Sequence, residues 1–119
     1  MLFRSIKLAT AINITYKIDN ENTNALANIQ QLNVYRIIQE HLNNILKHAE
    51  AKNVNINIQY ENNEATLLIR DDGQGFDVTV RRKGIGFNNI QSRAELLNGK
   101  MNVISKPGKG CLLVVNFPV

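Results

Sequence analysis

The segment spanning residues 37–49 constrains the fold most, because it has the pattern of one amphipathic helix with an unusual polar face. At 100° per residue, one arc of about 100° holds four polar side chains: Glu40, Asn44, Lys47 and His48. We expect the opposite stripe to face the core; it contains Val34, Ile38, Leu42, Ile45 and Ala49.

Two interpretations of the polar face are open from this helix alone. Asparagine is unfavourable inside a helix, and a merely solvated face would more often carry Glu, Lys and Gln than the pair Asn43 and Asn44. The first interpretation is a solvated surface. The second is a ligand-facing wall, in which a carboxylate and an amide bind a metal ion while Lys47 meets phosphate.

The composition indicates a single globular domain. At 119 residues, the chain can bury about two thirds of its unfolded surface in one core. A formal net charge of +4 suits anionic ligands as well as nucleic acid. The single cysteine, Cys111, excludes an internal disulfide and fits a reducing compartment. There is no apolar run of about 18 residues and no secretory signal, so we expect a cytoplasmic domain, in a parent protein that can itself be membrane-anchored.

The remaining patterns predict strands on both sides of this helix and a second helix near the C-terminus. Asn24 or Asn33 is a candidate N-cap for the first helix, which we expect to end near residue 51. The second helix is predicted at residues 87–97, with Gly99 as its stop. The predicted strands are residues 12–18, 54–60, 65–70, 101–104 and 111–117.

This order of elements predicts the fold class. Most strands are linked as hairpins, one of them through residues 61–64, and strands outnumber helices. The run at residues 65–70 is continuously apolar, as expected for a central strand. We therefore predict an α+β fold: a two-layer α/β sandwich with a mixed, mostly antiparallel sheet covered by helices.

Two glycine clusters follow the predicted central strand. Asp71 ends the strand, and Gly73 and Gly75 after it would let a flat ligand approach the main chain. A desolvated carboxylate there can accept a hydrogen bond from an exocyclic amine such as that of adenine. The alternative is a tight turn between strands. Gly84 and Gly86 precede the second helix, where unpaired N–H groups favour phosphate.

Three common motifs are absent from the sequence. There is no phosphate-binding loop ending in Gly-Lys-Ser/Thr. Asn89 stands where a dinucleotide fingerprint requires its third glycine. The segment after Asp71 lacks the spaced acids of a calcium loop.

Four sequence motifs occur in a fixed order along residues 34–118. They are Glu40-x-x-x-Asn44-x-x-Lys47-His48-Ala49, Asp71-x-Gly73-x-Gly75-Phe76, Gly84-x-Gly86-Phe87-x-Asn89-Ile90-x-x-Arg93, and Gly99 with the turn at residues 105–110. Together they resemble the ATP-binding catalytic domain of bacterial sensor histidine kinases, in the GHKL superfamily with gyrase, Hsp90 and MutL. The Lys-His-Ala ending of the first motif is most similar to the nitrate-sensor and lipid-fluidity-sensor branch. The resemblance implies an α/β sandwich with ATP between the asparagine-bearing helix and the glycine loops.

The resemblance also implies roles for the helix residues. Asn44 would bind the Mg²⁺ that bridges the phosphates. Glu40 would orient a metal-bound water or assist the proton of the phosphoacceptor. Lys47 would neutralise phosphate charge, and His48 would line the ribose or phosphate side.

The loop residues have implied roles as well. Asp71 would accept the adenine amine, and Gly73 and Gly75 would give the base access. Gly84 and Gly86 would let a lid close over the phosphates. Phosphoryl transfer of this kind depends on positioning and charge neutralisation.

Three features depart from the family pattern. Cys111 stands where the family usually has a threonine, the lid between Phe76 and Gly84 is short, and His41 replaces a small residue. Because no histidine has the phosphoacceptor setting, we expect His41 to be a surface or packing residue. We expect residues 1–9 to be a linker or an artificial addition, and residues 10–119 to be the catalytic domain.

The predicted function is to bind ATP and Mg²⁺ and to donate the γ-phosphoryl group to a histidine on a separate dimerisation domain in two-component signalling. The predicted partner is that phosphoacceptor domain of the parent kinase, and a response regulator is an indirect partner. We expect this segment to contact neither nucleic acid nor a membrane. The nearer alternative is a stand-alone serine kinase of the anti-sigma-factor type. The further alternative is a nucleic-acid module using basic residues: Arg81, Arg82, Lys83, Lys100, Lys106 and Lys109.

Overall fold

The computed structural model describes residues 12–18, 26–79 and 87–119 of the chain. Within these residues, one five-stranded sheet is covered by two helices, which confirms the predicted two-layer α+β sandwich. The strands are β1 (Asn13–Ile18), β2 (Asn53–Glu61), β3 (Glu64–Asp71), β4 (Lys100–Ser105) and β5 (Cys111–Pro118), and the helices are α1 (Asn28–His48) and α2 (Phe87–Leu96).

The sheet has the strand order β1-β2-β3-β5-β4. β1 and β2 are parallel, since α1 carries the chain back between them, and the other pairs are antiparallel. The β2–β3 hairpin turns through Asn62 and Asn63, both with positive φ (53° and 62°). β3 lies in the middle of the sheet, as its apolar sequence predicts.

The core lies between the helices and one face of the sheet. Alternate residues of β2, β3 and β5 are buried there, and the predicted apolar stripe of α1 faces them. The buried stripe is wider than predicted, because it also includes Ile37 and His41. The reason is that α1 packs against α2 as well as against the sheet, so a second arc of α1 is removed from water.

The start of α1 differs from the prediction. Ala27 precedes the first helical residue, and its backbone N–H donates to the Gln30 side chain at 3.0 Å. Asn33 is therefore not an N-cap; it is a buried residue inside the helix, and its amide donates to the Ile29 carbonyl at 3.1 Å. Asn24 lies outside the described residues. The helix ends at His48, three residues before the predicted end.

The C-terminus of α2 also differs in detail from the prediction. The left-handed residue is Asn98 (φ 59°) rather than Gly99. The Gly99 N–H donates to the Ala94 carbonyl at 2.8 Å and the Asn98 N–H to the Glu95 carbonyl at 2.9 Å. These two bonds form a Schellman motif that closes the helix. Among the described helices, neither combines the length and the apolar character that a bilayer crossing requires.

Candidate functional site

A cleft with about 340 Å³ of open space lies between the C-terminal half of α1 and the loop that follows β3. Four of the predicted site residues line it together: Asn44, His48, Asp71 and Gly75. The remaining lining residues are His41, Ile45, Ala49, Phe76, Phe87 and Cys111.

Asp71 lies at the end of β3, with only 4% of its surface exposed. Its Oδ1 accepts the Gly73 N–H at 2.8 Å, whereas Oδ2 has no hydrogen-bond partner among the described residues. Burial, with a smaller contribution from the neighbouring Asp72 charge, raises the pKa of the Asp71 carboxyl, and the Gly73 hydrogen bond opposes this shift. The cleft therefore contains a desolvated acceptor that a ligand amine could satisfy.

Asp72, the next residue, has a different role. It accepts hydrogen bonds from the backbone N–H groups of Lys52 and Asn53 at 2.9 Å and from the Asn53 side chain at 2.8 Å. These bonds, first of all those from Asn53, lower the pKa of the Asp72 carboxyl to about 2. Asp72 ties the end of β3 to the start of β2 and does not line the cleft.

The loop after Asp72 is held from two sides. The Gln74 N–H donates to the Ala49 carbonyl at 2.7 Å, and the Gln74 carbonyl accepts the Gly108 N–H at 2.6 Å. The Gln74 side chain also donates to the His48 carbonyl. The loop is thereby fixed between the end of α1 and the β4–β5 turn, and this fixes the base of the cleft.

Gly73 and Gly75 are required by this close packing. A Cβ on Gly73 would lie 2.3 Å from the Ala49 carbonyl oxygen. Gly75 has a φ of +64°, and a Cβ there would lie 2.1 Å from the Lys106 carbonyl oxygen. Gly75 lines the cleft, whereas Gly73 does not. The structure thus gives both glycines a packing reason that is independent of any ligand.

We expect Gly75→Ala to destabilise the domain more than Gly108→Ala. Gly108 also has a positive φ (+79°), but a Cβ there would meet no atom of the described residues within 4 Å. Gly108→Ala should therefore cost only the left-handed strain of about 1–2 kcal/mol, and Gly75→Ala should add about 1–3 kcal/mol from the backbone overlap. Urea unfolding of the two variants measures the difference, and equal losses would contradict the packing described above.

The chain is similar to known proteins in sequence and in fold. A family model described as "Histidine kinase-, DNA gyrase B-, and HSP90-like ATPase" matches residues 29–119. The chain belongs to this ATPase family. This confirms the family that the sequence motifs indicate, while the narrower assignment to the nitrate-sensor and lipid-fluidity-sensor branch stays a prediction.

Two relatives agree with this family. The chain is 31% identical over 90 residues to the signal transduction histidine-protein kinase/phosphatase DegS of Brevibacillus brevis, covering 75% of this chain and 23% of the relative. DegS of Bacillus subtilis (strain 168) is 30% identical over 90 residues, covering 72% and 23%. The chain thus spans less than a quarter of these relatives.

A solved structure shows the same fold. The Erythrobacter litoralis EL346 blue-light activated histidine kinase superposes with a TM-score of 0.76 at 18% identity, covering 92% of this chain and 36% of that chain. At this level of identity the likeness concerns the fold alone. It supports the sheet order and helix placement on which the cleft depends.

Among the described residues, the other predicted site residues of this ATPase-family domain lie outside the cleft lining. Glu40 is half-buried one turn before Asn44, and its Oε1 accepts the Asn89 side-chain N–H at 3.4 Å. Lys47 is exposed on the same helix. Gly84 and Gly86, together with residues 80–83 of the predicted lid, lie outside the described residues.

Two titratable residues of the cleft were not predicted as site residues. His41 is 2% exposed and packs against the Phe87 ring at a centroid distance of 5.9 Å, and burial lowers its pKa to about 4. Cys111 is buried, and burial and then the Asp71 charge raise its pKa to about 12. The spacing of His41, four residues from both Ile37 and Ile45, is the sequence signal that could have indicated its burial.

The residues present fit an adenine nucleotide and its metal ion. Asp71 is a buried residue, and the carboxylate oxygen that does not accept the Gly73 N–H has no hydrogen-bond partner in the described chain, which suits the adenine amine. Asn44 supplies a side-chain amide from the opposite wall, and amide oxygens are ligands of the kind that Mg²⁺ accepts.

Proposed function

We propose that this domain binds Mg-ATP in the cleft and donates the γ-phosphoryl group to a histidine on a separate dimerisation domain. The observation that carries the proposal is the placement of Asp71 and Asn44 in one cleft of an ATPase-family domain. The histidine kinase relatives support histidine as the acceptor.

Adenine would lie at the Asp71 end of the cleft. Its exocyclic amine would donate to the Asp71 carboxylate, which otherwise remains desolvated. Phe76 and Ile45 line the same cleft and supply apolar surface for the flat base. Guanine presents a carbonyl oxygen at the corresponding position and would meet the carboxylate with repulsion.

The triphosphate would extend towards the polar face of α1. Asn44 would hold the Mg²⁺, which supplies charge neutralisation for the phosphates when bound. His48 would line the ribose or phosphate side, and Lys47 would reach phosphate from its exposed position. Gly84 and Gly86 would belong to the lid.

Glu40 would act at the phosphoacceptor. It lies one turn from Asn44 on the same helix and is half-buried, so it is close to the metal end of the cleft without lining its base. A carboxylate here can accept the proton of the attacking imidazole or orient a water. In the full protein, we propose a cytoplasmic location and a response regulator as the eventual recipient of the phosphoryl group.

Titration with a non-hydrolysable ATP analogue, with and without Mg²⁺, tests the assignment of Asn44. We expect the unmodified domain to bind more tightly with Mg²⁺, and Asn44→Ala to lose about tenfold or more of its affinity for the Mg²⁺ complex, because a contact to a charged group is removed. Affinity for the Mg²⁺-free analogue should change little.

Asn43→Ala is the matched control, since Asn43 is the adjacent asparagine of α1 but is exposed and outside the cleft lining. We expect this variant to behave like the unmodified domain. An Asn44→Ala variant that keeps its full Mg²⁺ enhancement would contradict the metal role of Asn44. An unmodified domain that binds no analogue in either buffer would contradict the proposed function.

A further inference from the structure

A cluster of three metal-ligating side chains lies at the base of the cleft: His41, Asp71 and Cys111. Their ligand atoms all lie within 4.8 Å of one another, and all three residues are buried. The sheet register produces part of this cluster, because Asp71 on β3 is the direct cross-strand partner of Cys111 on β5. Both strands bury these residues towards the helices, where α1 supplies His41.

His41 gives an independent indication of a ligand. The side chain is 2% exposed and lines the cleft, yet neither ring nitrogen has a hydrogen-bond partner among the described residues. Buried polar atoms normally have partners. Packing against Phe87 accounts for the ring face but not for the two nitrogens. One of them therefore remains available to a ligand in the cleft.

We propose that His41, Asp71 and Cys111 form a site for a soft divalent metal ion such as Zn²⁺, and that occupation of this site excludes the nucleotide. The exclusion rests on the proposed function, because it requires Asp71 to be the adenine acceptor. The metal site itself does not depend on nucleotide binding.

The donor set fits Zn²⁺. One imidazole nitrogen, one thiolate sulfur and one carboxylate oxygen are the common ligands of this ion, and three protein ligands leave a fourth position open to the cleft. The carboxylate and the thiolate together balance the ion's two positive charges, so the occupied site carries no net buried charge. On binding, the thiol proton passes to bulk water as the Zn–S bond forms.

The distances require only small movements. Tetrahedral coordination at bond lengths of about 2.0–2.3 Å places ligand atoms about 3.3–3.8 Å apart. The three atoms already lie within 4.8 Å of one another. Small side-chain rotations that move these atoms by about 1 Å would therefore complete the site. Mg²⁺ should not compete, because it prefers oxygen ligands over thiolate and imidazole.

Cobalt titration tests the metal site directly. Co²⁺ added to the domain should produce a thiolate-to-cobalt charge-transfer absorption band that saturates at one equivalent, and Zn²⁺ should then remove the band. Cys111 is the only cysteine, so the band reports on this position alone. Cys111→Ser should abolish it and His41→Gln should weaken it, with circular dichroism as the check on folding.

His48→Gln is the matched histidine control. His48 is the only other histidine and lines the same cleft but is not part of the cluster, so this variant should keep the band. Absence of the band in the unmodified domain, or its loss in His48→Gln with His41→Gln unaffected, would overturn the site.

Competition with a fluorescent ATP analogue in saturating Mg²⁺ tests the exclusion. With Zn²⁺ at ten times its dissociation constant, the apparent affinity for the analogue should fall about tenfold in the unmodified domain. Cys111→Ser, compared with itself in the same buffers, should show less than about a twofold change, and this also controls for Zn²⁺ bound by the nucleotide. A chelator should restore binding.

The outcomes separate the two proposals. Unchanged analogue affinity in saturating Zn²⁺, with the cobalt band present, would overturn the exclusion. If the domain binds no analogue even without Zn²⁺, the proposed function fails, while the cobalt band still decides the metal site.

Discussion

Replacing Asp71 by asparagine is expected to lower the affinity for ATP by about 10- to 150-fold. This range corresponds to the loss of a hydrogen bond to a charged acceptor, which contributes about 1.5–3 kcal/mol. The discrimination against GTP should narrow in the same variant, because the carboxylate that repels the guanine carbonyl is gone. Calorimetric titration with both nucleotides measures the two effects.

The same substitution should not destabilise the domain. Burial raises the folded-state pKa of Asp71 above its unfolded value of 3.8, so at pH 7 the charged carboxylate makes folding less favourable. The asparagine side chain of the variant would still accept the Gly73 N–H without that charge. Asp71→Asn should therefore melt at or above the temperature of the unmodified domain at pH 7, and the difference should shrink as the pH falls through the folded-state pKa towards 3.8.

Asp72→Asn, at the residue next to Asp71, is the control. We expect this variant to lose stability and keep its affinity for nucleotide, the opposite of Asp71→Asn. Asp72 accepts three hydrogen bonds, and its pKa is lowered to about 2. Its contribution to stability is therefore present above the unfolded value of 3.8 and is lost as the pH falls from about 4 to about 2. Asp72→Asn should lower the melting temperature at pH 7 and keep nucleotide binding. ATP affinity unchanged in Asp71→Asn would remove the adenine role of this residue.

Replacing Glu40 by glutamine is expected to slow phosphoryl transfer by about 10²–10⁴-fold, the typical contribution of general acid–base catalysis. The glutamine side chain of the variant can still accept the hydrogen bond from Asn89 but can no longer take a proton. Because Glu40 does not line the cleft, the affinity for ATP should stay within about threefold. The assay supplies a dimerisation and phosphoacceptor domain as a separate protein, with labelled ATP.

The stability of the product in acid identifies the acceptor. A phosphohistidine is labile in acid and a phosphoserine is not, so an acid-labile product supports a histidine kinase and an acid-stable one supports the serine kinase alternative. Glu95→Gln, which changes an exposed acid of α2, is the matched control and should react at the unmodified rate. Equal rates for Glu40→Gln and the unmodified domain would exclude proton transfer by Glu40.

Local sequence was sufficient for most of the fold. The alternation of apolar residues predicts β2, and the continuous apolar run predicts the central position of β3. The position of Asp71 at the strand end was also predictable, because it follows directly from the end of the apolar run. Helix ends were less predictable: Ala27 precedes α1 although asparagines are nearby, since Gln30 supplies the cap from inside the helix.

The environment of each site residue was not predictable in the same way. Asp71 and Asp72 are adjacent and chemically identical, yet their environments differ. Asp71 is buried at the end of β3, whereas Asp72 accepts hydrogen bonds from Asn53, which lies far away in the sequence. Similarly, His41 could be read as a surface or a packing residue until α2 and Phe87 were placed against it.

The sequence by itself determined the amphipathic helix, the hairpins and the set of polar residues that identify the ATPase family, because these depend on periodicity and on residue type within short segments. Only the tertiary structure decided which of those residues share a cleft, which acid is desolvated, and that Cys111 lies opposite Asp71 across two strands. Burial and pairing arise from segments distant in the chain, and no local pattern specifies them.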